Sequence, residues 1–416
     1  MVSMRSIELS RQTFLVFFSM LLLSCGSDDV QETPVIPGDV DDTNEETDLS
    51  SDGAEEENEP VSCPVLEKPE NRDRFVVVSK PYRPGAERAP DYEVWTLSQN
   101  EDIAPTETLF SMSRTFKGEI AFRVDGSIGA VAQDDGSLGV FKIDDQGNVD
   151  VTHSSYVGEF EANSVSFDPN HPDRLIVMDG RWDEFGGGLY EVMLDCEGTI
   201  VSESLIVTSK LATDMTWMDR EHLLLSATSA LDSGEPHDLH VLDWQPQNVS
   251  RRSSSFNFDG ELVKKSFVAF TSNKKHLLVA ENSGLTSRPH RIAVYEWTEG
   301  TMLFKQLIES IEDPHDALIS PFDDSALVIS GFGDSIYRLE YDENSETPFG
   351  PPTTVSSPPL PGHGVMIKDG LSEGLVLVAE NVGIRMLKFN EGSVIDLGAV
   401  TRSGIEHIIG AIGVQP

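Results

Sequence analysis

The chain has 416 residues, enough for one large domain or two ordinary ones with a sizeable core. Its 71 acidic residues against 30 basic ones give a formal net charge of −41. A field of that sign repels phosphate backbones and anionic headgroups, which excludes nucleic acid as a direct partner, and three cysteines are too few for a disulfide scaffold.

Residues 1–24 read as an export signal. Arg5 and Arg11 make a weakly basic start, and Phe14–Leu23 is an apolar run. As a helix that run rises about 15 Å, roughly half the hydrocarbon thickness of a bilayer, which suits a signal core and not a span. It ends in Leu22-Leu23-Ser24-Cys25, which resembles the lipobox of bacterial lipoproteins. The resemblance implies cleavage before Cys25, diacylation of its thiol, acylation of the new amino terminus and anchorage in the lipid bilayer of a bacterial cell envelope. Several acyl chains on one residue meet the requirement for stable anchoring. An ordinary signal peptide with a chance cysteine is the alternative.

Residues 25–62 read as a tether. Between Gly26 and Pro60 stand fourteen Asp or Glu, no Lys or Arg and no aromatic residue. Such a segment buries too little apolar surface to offset its ordering entropy and is expected to stay disordered and extended. Residues 39–48 (DVDDTNEETD) are rich in oxygen ligands, yet they lack the glycine and terminal glutamate of an EF-hand loop.

From Cys63 the composition is globular, and a strand pattern repeats to the end. The most apolar strands are Phe75–Ser79, Ile128–Ala132, Leu175–Met178, Leu223–Ala227, Leu277–Ala280, Ala326–Ser330 and Leu375–Ala379. Each is followed by a strand of alternating character: Tyr92–Leu97, Leu138–Ile143, Leu189–Leu194, Leu239–Trp244, Ile292–Trp297, Ile336–Tyr341 and Ile384–Phe389. Weaker outer strands follow, such as Glu107–Phe110, Leu303–Ile308, Pro352–Ser356 and Val394–Leu397. Six further strands precede the apolar ones, at Glu119–Phe122, Ser164–Phe167, Asp214–Trp217, Phe267–Phe270, Asp316–Ile319 and Gly364–Ile367. The first unit lacks this strand, and Glu406–Val414 at the end of the chain supplies it. Seven units of about 43–53 residues predict an all-β fold over residues 63–416. It is a seven-bladed β-propeller of four-stranded antiparallel blades, closed by the C-terminal strand completing the N-terminal blade. A monomer is expected.

In such a ring the first-to-second and third-to-fourth loops share one face, and the second-to-third and blade-to-blade connections share the other. Cys63 and Cys196 both fall on the former; a disulfide and two separate thiols are both open. On the other face, long loops carry Arg83, Arg88, Arg181, Trp182, Arg288 and His290, notable in a chain short of cations. The starts of the innermost strands on that face carry Glu119, Asn163, Asp214, His315, Asp316, His363, Glu406 and His407. Imidazoles and carboxylates converging on a channel mouth suit a divalent metal, the one cofactor the sequence suggests, or acid–base work on a small substrate. Bonding to the neighbouring blade, or lining a water-filled channel, is the structural alternative. No G-x-S-x-G elbow or H-E-x-x-H motif is present, and Gly331-Phe332-Gly333 reads as a hairpin turn.

The unit Pro314-His315-Asp316-Ala317…Ser320-Pro321…Asp324…Leu327-Val328 resembles the blades of the seven-bladed lactonase-like and surface-antigen propellers. That resemblance covers residues 63–416 and implies the propeller fold. Its lactonase members hydrolyse or isomerise sugar lactones with His, Glu and Arg at the channel mouth, and of these His315 is the position that matches. Other units depart from the motif, with Met218-Asp219-Arg220 and Lys368-Asp369-Gly370 at the turn. The expectation is a membrane-anchored scaffold that binds an unidentified protein or small-molecule ligand on its long-loop face. The alternatives are a lactonase-type enzyme acting on a small anionic substrate through His315, His363, His407 and Glu406, and a propeller binding a divalent metal.

Overall fold

The repeat is built around strands that are buried on both faces. The computed structural model describes residues 63–416 apart from 66, 70, 81–90, 116–119, 182–186, 210–211, 228–238, 246–247, 253–263, 283–289, 299–300, 332, 382 and 402–409. β1 (Arg74–Ser79), β2 (Tyr92–Leu97) and β3 (Ile103–Phe110) begin the first blade. Six blades follow: β4 (Ala121–Phe122) to β7 (Val149–Tyr156), β8 (Ala162–Asp168) to β11 (Ile200–Thr208), and β12 (Ala212–Trp217) to β15 (Asn248–Arg252). After them come β16 (Lys264–Phe270) to β19 (Thr301–Ile308), β20 (Pro314–Ile319) to β23 (Thr353–Ser356), and β24 (Gly364–Met366) to β27 (Ser393–Thr401). β28 (Ile412–Val414) returns to pair antiparallel with β1, Val76 opposite Val414 and Val78 opposite Ile412, and makes the first blade four-stranded. The chain is thus a seven-bladed β-propeller, with no helix among the described residues.

Strand periodicity explains why the second strand of each blade reads as an unbroken apolar run. Successive side chains point to opposite faces, and here each face meets another blade. Val76 and Val78 pack with Leu375 and Leu377 of the last blade, while Val77 between them packs with Val131 and Phe141 of the second. Leu175 and Val177 face the second blade, and Ile176 and Met178 face the fourth. The buried apolar residues accordingly divide into seven clusters, one at each junction between successive blades, including the junction of the last with the first. Outer strands touch solvent along one side, as the exposed Val201 and Leu205 of β11 show.

The first strands share an irregularity. In four consecutive blades the pairing slips by one residue near the start of the strand, between Ala162 and Ser164, Ala212 and Asp214, Lys265 and Phe267, and Pro314 and Asp316. Such bulges re-aim side chains and are common beside functional sites. The skipped residues are Asn163, Thr213, Ser266 and His315.

Element limits differ from the sequence expectation at several ends. The third strand of the sixth blade is Ser335–Leu339, not Ile336–Tyr341, because Tyr341 forms only an isolated bridge to Phe349. The outer strand of that blade starts at Thr353 and not Pro352, which has no N–H to give the ladder. The first strand of the second blade is only Ala121–Phe122, and Glu119 lies outside the described residues. The closing strand is Ile412–Val414, with residues 406–409 of the expected Glu406–Val414 outside the described residues.

The entry segment lies on the face of the first-to-second turns. Cys63 and Cys196 are joined by a disulfide, their Cα atoms 5.4 Å apart. Cys196 stands in the turn between β10 (Gly188–Leu194) and β11.

Candidate functional site: the channel mouth

Two carboxylates perform the same task in different blades. One Asp214 oxygen accepts the N–H of Met215 at 2.9 Å, and the other accepts Val268 N–H, from the first strand of the next blade, at 2.7 Å. One Asp316 oxygen accepts Ala317 N–H at 2.8 Å and the other accepts Gly364 N–H, again from the next blade, at 2.9 Å. The bulge places each carboxylate here: the skipped residue lets the following side chain bridge its own strand and its neighbour's. Asp214 and Asp316 therefore stitch the fourth blade to the fifth and the sixth to the seventh.

Histidines gather around the second stitch. His363 directly precedes Gly364, and its Nδ1 lies 3.6 Å from Asp316 Oδ2. The His315 ring, on the bulge of β20, is 4.4 Å from the His363 ring, centroid to centroid, and tilted by 48°. Both imidazoles are half-buried. Gly362 lies beside the carbonyl of Gly410, so the returning C-terminal segment reaches this part of the mouth. Burial pushes the Asp214 carboxyl up to about 7; the charge of Asp316 adds to this, while the Val268 and Met215 N–H groups and His363 oppose it.

Among the expected rim residues, Arg181 has an internal task. Its Nη2 lies 2.7 Å from Asp179 Oδ2 and its Nε 2.9 Å from the same oxygen, while Nη2 also donates to Glu159 O at 2.6 Å. The Asp179 carboxylate is wholly buried and also accepts the N–H groups of Glu161, Arg181 and Gly187 at 3.1–3.3 Å. This charge fixes the base of a long loop. Asn163 stands against Gly180, and His290 is half-buried just before β18 (Arg291–Thr298). Arg83, Arg88, Glu119, Trp182, Arg288, Glu406, His407 and Cys25 lie outside the described residues.

Two further charge pairs escaped the sequence reading. Lys80 Nζ and Glu93 Oε2 are 3.1 Å apart with both side chains 1% exposed, and Arg385 Nε lies 2.9 Å from Glu380 Oε2. Each joins the end of a second strand to the start of a third, where the upper loops depart. The available signal was an acidic or basic residue directly ending an apolar strand, as in Ala379-Glu380. Among the described residues no group of three or more His, Cys, Asp or Glu is arranged to hold a metal ion.

No family model matches the chain, and no curated protein matches it. Solved structures do. A candidate 6-phosphogluconolactonase of Bacteroides fragilis superposes with a TM-score of 0.60 at 11% identity, over 84% of this chain and 99% of that one. One of Bacteroides uniformis gives 0.61 at 12% identity, over 82% and 99%. A periplasmic gluconolactonase of Pseudomonas aeruginosa gives 0.57 at 12%, over 81% and 99%. At these identities the likeness concerns architecture. The class is a seven-bladed β-propeller whose structural neighbours include lactonase-like propellers.

Proposed function

We propose that this chain is an exported, lipid-anchored binding propeller that receives a ligand or partner at the channel mouth on its long-loop face. The observation carrying this reading is the grouping of His315, His363 and Asp316. Two imidazoles and a carboxylate from adjacent blades meet at the open end of the channel on a rigid frame. Two supporting facts concern the surroundings. Cys63 enters on the opposite face, which leaves the long-loop face to binding. Blade-to-blade stitches hold the first strands, so the mouth is preorganised and loses little entropy on binding.

The test is a thermal-shift and calorimetric screen of small polar ligands and divalent ions against the wild type and a His315→Ala/His363→Ala double variant. A ligand of this site should bind the variant at least tenfold more weakly, about 1.4 kcal/mol. Equal binding by both proteins would remove the site. Retention by membranes tests the anchor: Cys25→Ala should move the protein to the soluble fraction.

A second reading has one specific observation in its favour. The His363–Asp316 pair, beside His315, is an acid–base arrangement, and the architecture is shared with proteins described as gluconolactonases. It predicts turnover on a lactone panel that falls by about 10²-fold or more in the same double variant. Turnover indifferent to both substitutions eliminates it.

A further inference from the structure

The entry segment, residues 63–73, adds no strand to any blade, since β28 fills the inner position of the first blade. It nonetheless crosses from the first blade past the second to the third. At its far end the disulfide ties Cys63 to Cys196 in the third blade. The Cys63 N–H donates to Asp173 Oδ2 at 2.9 Å, and Arg123 Nη2 donates to the carbonyls of Cys63 and Pro64 at 3.4 and 3.3 Å. Arg123 is itself 3.3 Å from Asp173 Oδ1 and 3.8 Å from Asp125 Oδ1, and both Arg123 and Asp125 are buried. Nearer the first blade the attachments lie at the surface, open to water: Lys68 with the exposed Asp145 at 3.2 Å, Leu371 N–H to Asn71 Oδ1 at 3.1 Å and Gln99 N–H to Asp73 Oδ1 at 3.1 Å.

We propose that this segment is a redox-released strap. A covalent bond between residues 133 apart in sequence keeps the end of the strap against the Arg123–Asp173 fork. A dithiol reductant would supply two electrons and two protons. The Cys63–Cys196 bond breaks, each sulfur leaves as a thiol, and the reductant becomes the disulfide. The fork then holds the strap through backbone contacts alone, in competition with water. Release has two consequences. Arg123, Asp125 and Asp173 become an exposed charged surface on the face opposite the long loops. The free chain before β1 lengthens by the eleven strap residues, each reaching at most about 3.3–3.6 Å. That gain in reach rests on the tether reading above; the release does not.

Hydrogen–deuterium exchange on the folded full-length chain, with and without dithiothreitol, tests the release, with Cys196→Ser as a second arm. Amides of residues 63–73 should exchange at least tenfold faster after reduction and in Cys196→Ser, and tryptic cleavage after Arg72 should accelerate likewise. The strands of blades one to three should keep their protection. Unchanged exchange in the strap would overturn the proposal, because the fork and the surface contacts of Lys68, Asn71 and Asp73 would then hold it without the bond. Joint loss of protection in the strap and the three blades would overturn it as well, because the bond would then belong to the core.

Discussion

Asp214 is a carboxyl whose proton affinity folding changes strongly. A carboxyl that folding raises from 3.8 to about 7 favours the native state while it is protonated. Its contribution is fully present below about 3.8 and is lost as pH rises through about 7. Asp214→Asn keeps an oxygen for Val268 N–H and cannot ionise. Urea midpoints measured at pH 5.5 and 8.5 should show the variant gaining on the wild type as pH rises. A constant difference between the two proteins would show that Asp214 does not titrate in this range. At this scale the sequence was only partly legible. The ring positions of Asp214, Asp316, His315 and His363 followed from counting strands. Their pairings did not, since His315 and His363 meet across a whole blade of intervening chain. Arg181 was expected on the rim, and its pairing with Asp179, two residues earlier, was not legible, since nothing in an Asp-Gly-Arg stretch tells that the carboxylate is wholly buried.

Among the elements, the second strands were the easiest to read because both of their faces meet protein, so every position is apolar. Outer strands were weaker in sequence because one side is wet, and the first strand of the second blade was overestimated because only Ala121 and Phe122 pair. β28 is the element on which the ring depends. It pairs with β1 through three residues, its Ile412 carbonyl accepts Ile120 N–H at 3.0 Å, and Gln415 Nε2 donates to Gly126 O at 2.8 Å. Gly413 in its middle lies so close to Ile120 that a Cβ would collide with the Ile120 carbonyl oxygen. Gly413→Val should cost about 1–3 kcal/mol through overpacking at this seam, read as a lower urea midpoint. Gly392, whose added Cβ would meet nothing within 4 Å, is the control position. A valine there is strained by its positive φ of 73° but crowds no neighbour. Gly413 does not share that positive φ, so its loss reports the clash at the seam, and an unchanged midpoint for Gly413→Val would show that the seam accommodates the added atoms.

For the whole molecule, charge sets the terms. A net charge of −41 on 416 residues repels itself, and compaction brings those charges together. Added salt shortens the Debye length from about 30 Å at 0.01 M to about 10 Å at 0.1 M. The melting temperature should therefore climb over that range and level off beyond it. A flat response would mean that the unpaired acidic residues are spaced and solvated well enough that their mutual repulsion does not set the stability. The circular order of the blades was readable because each unit repeats the same sequence of wet and dry faces. The clusters between blades follow from that repeat without any particular residue being decisive.

The first blade is shared between the two ends of the chain, and this fixes an order in time. β1, β2 and β3 are made early, but their inner neighbour is made last. During synthesis the strands of blades two to seven can pair as they emerge, while the β1 edge stays open. The junction of the last blade with the first forms only when Val414 arrives. A chain shortened by its last few residues would lose very little mass and would leave two open blades where the ring should meet.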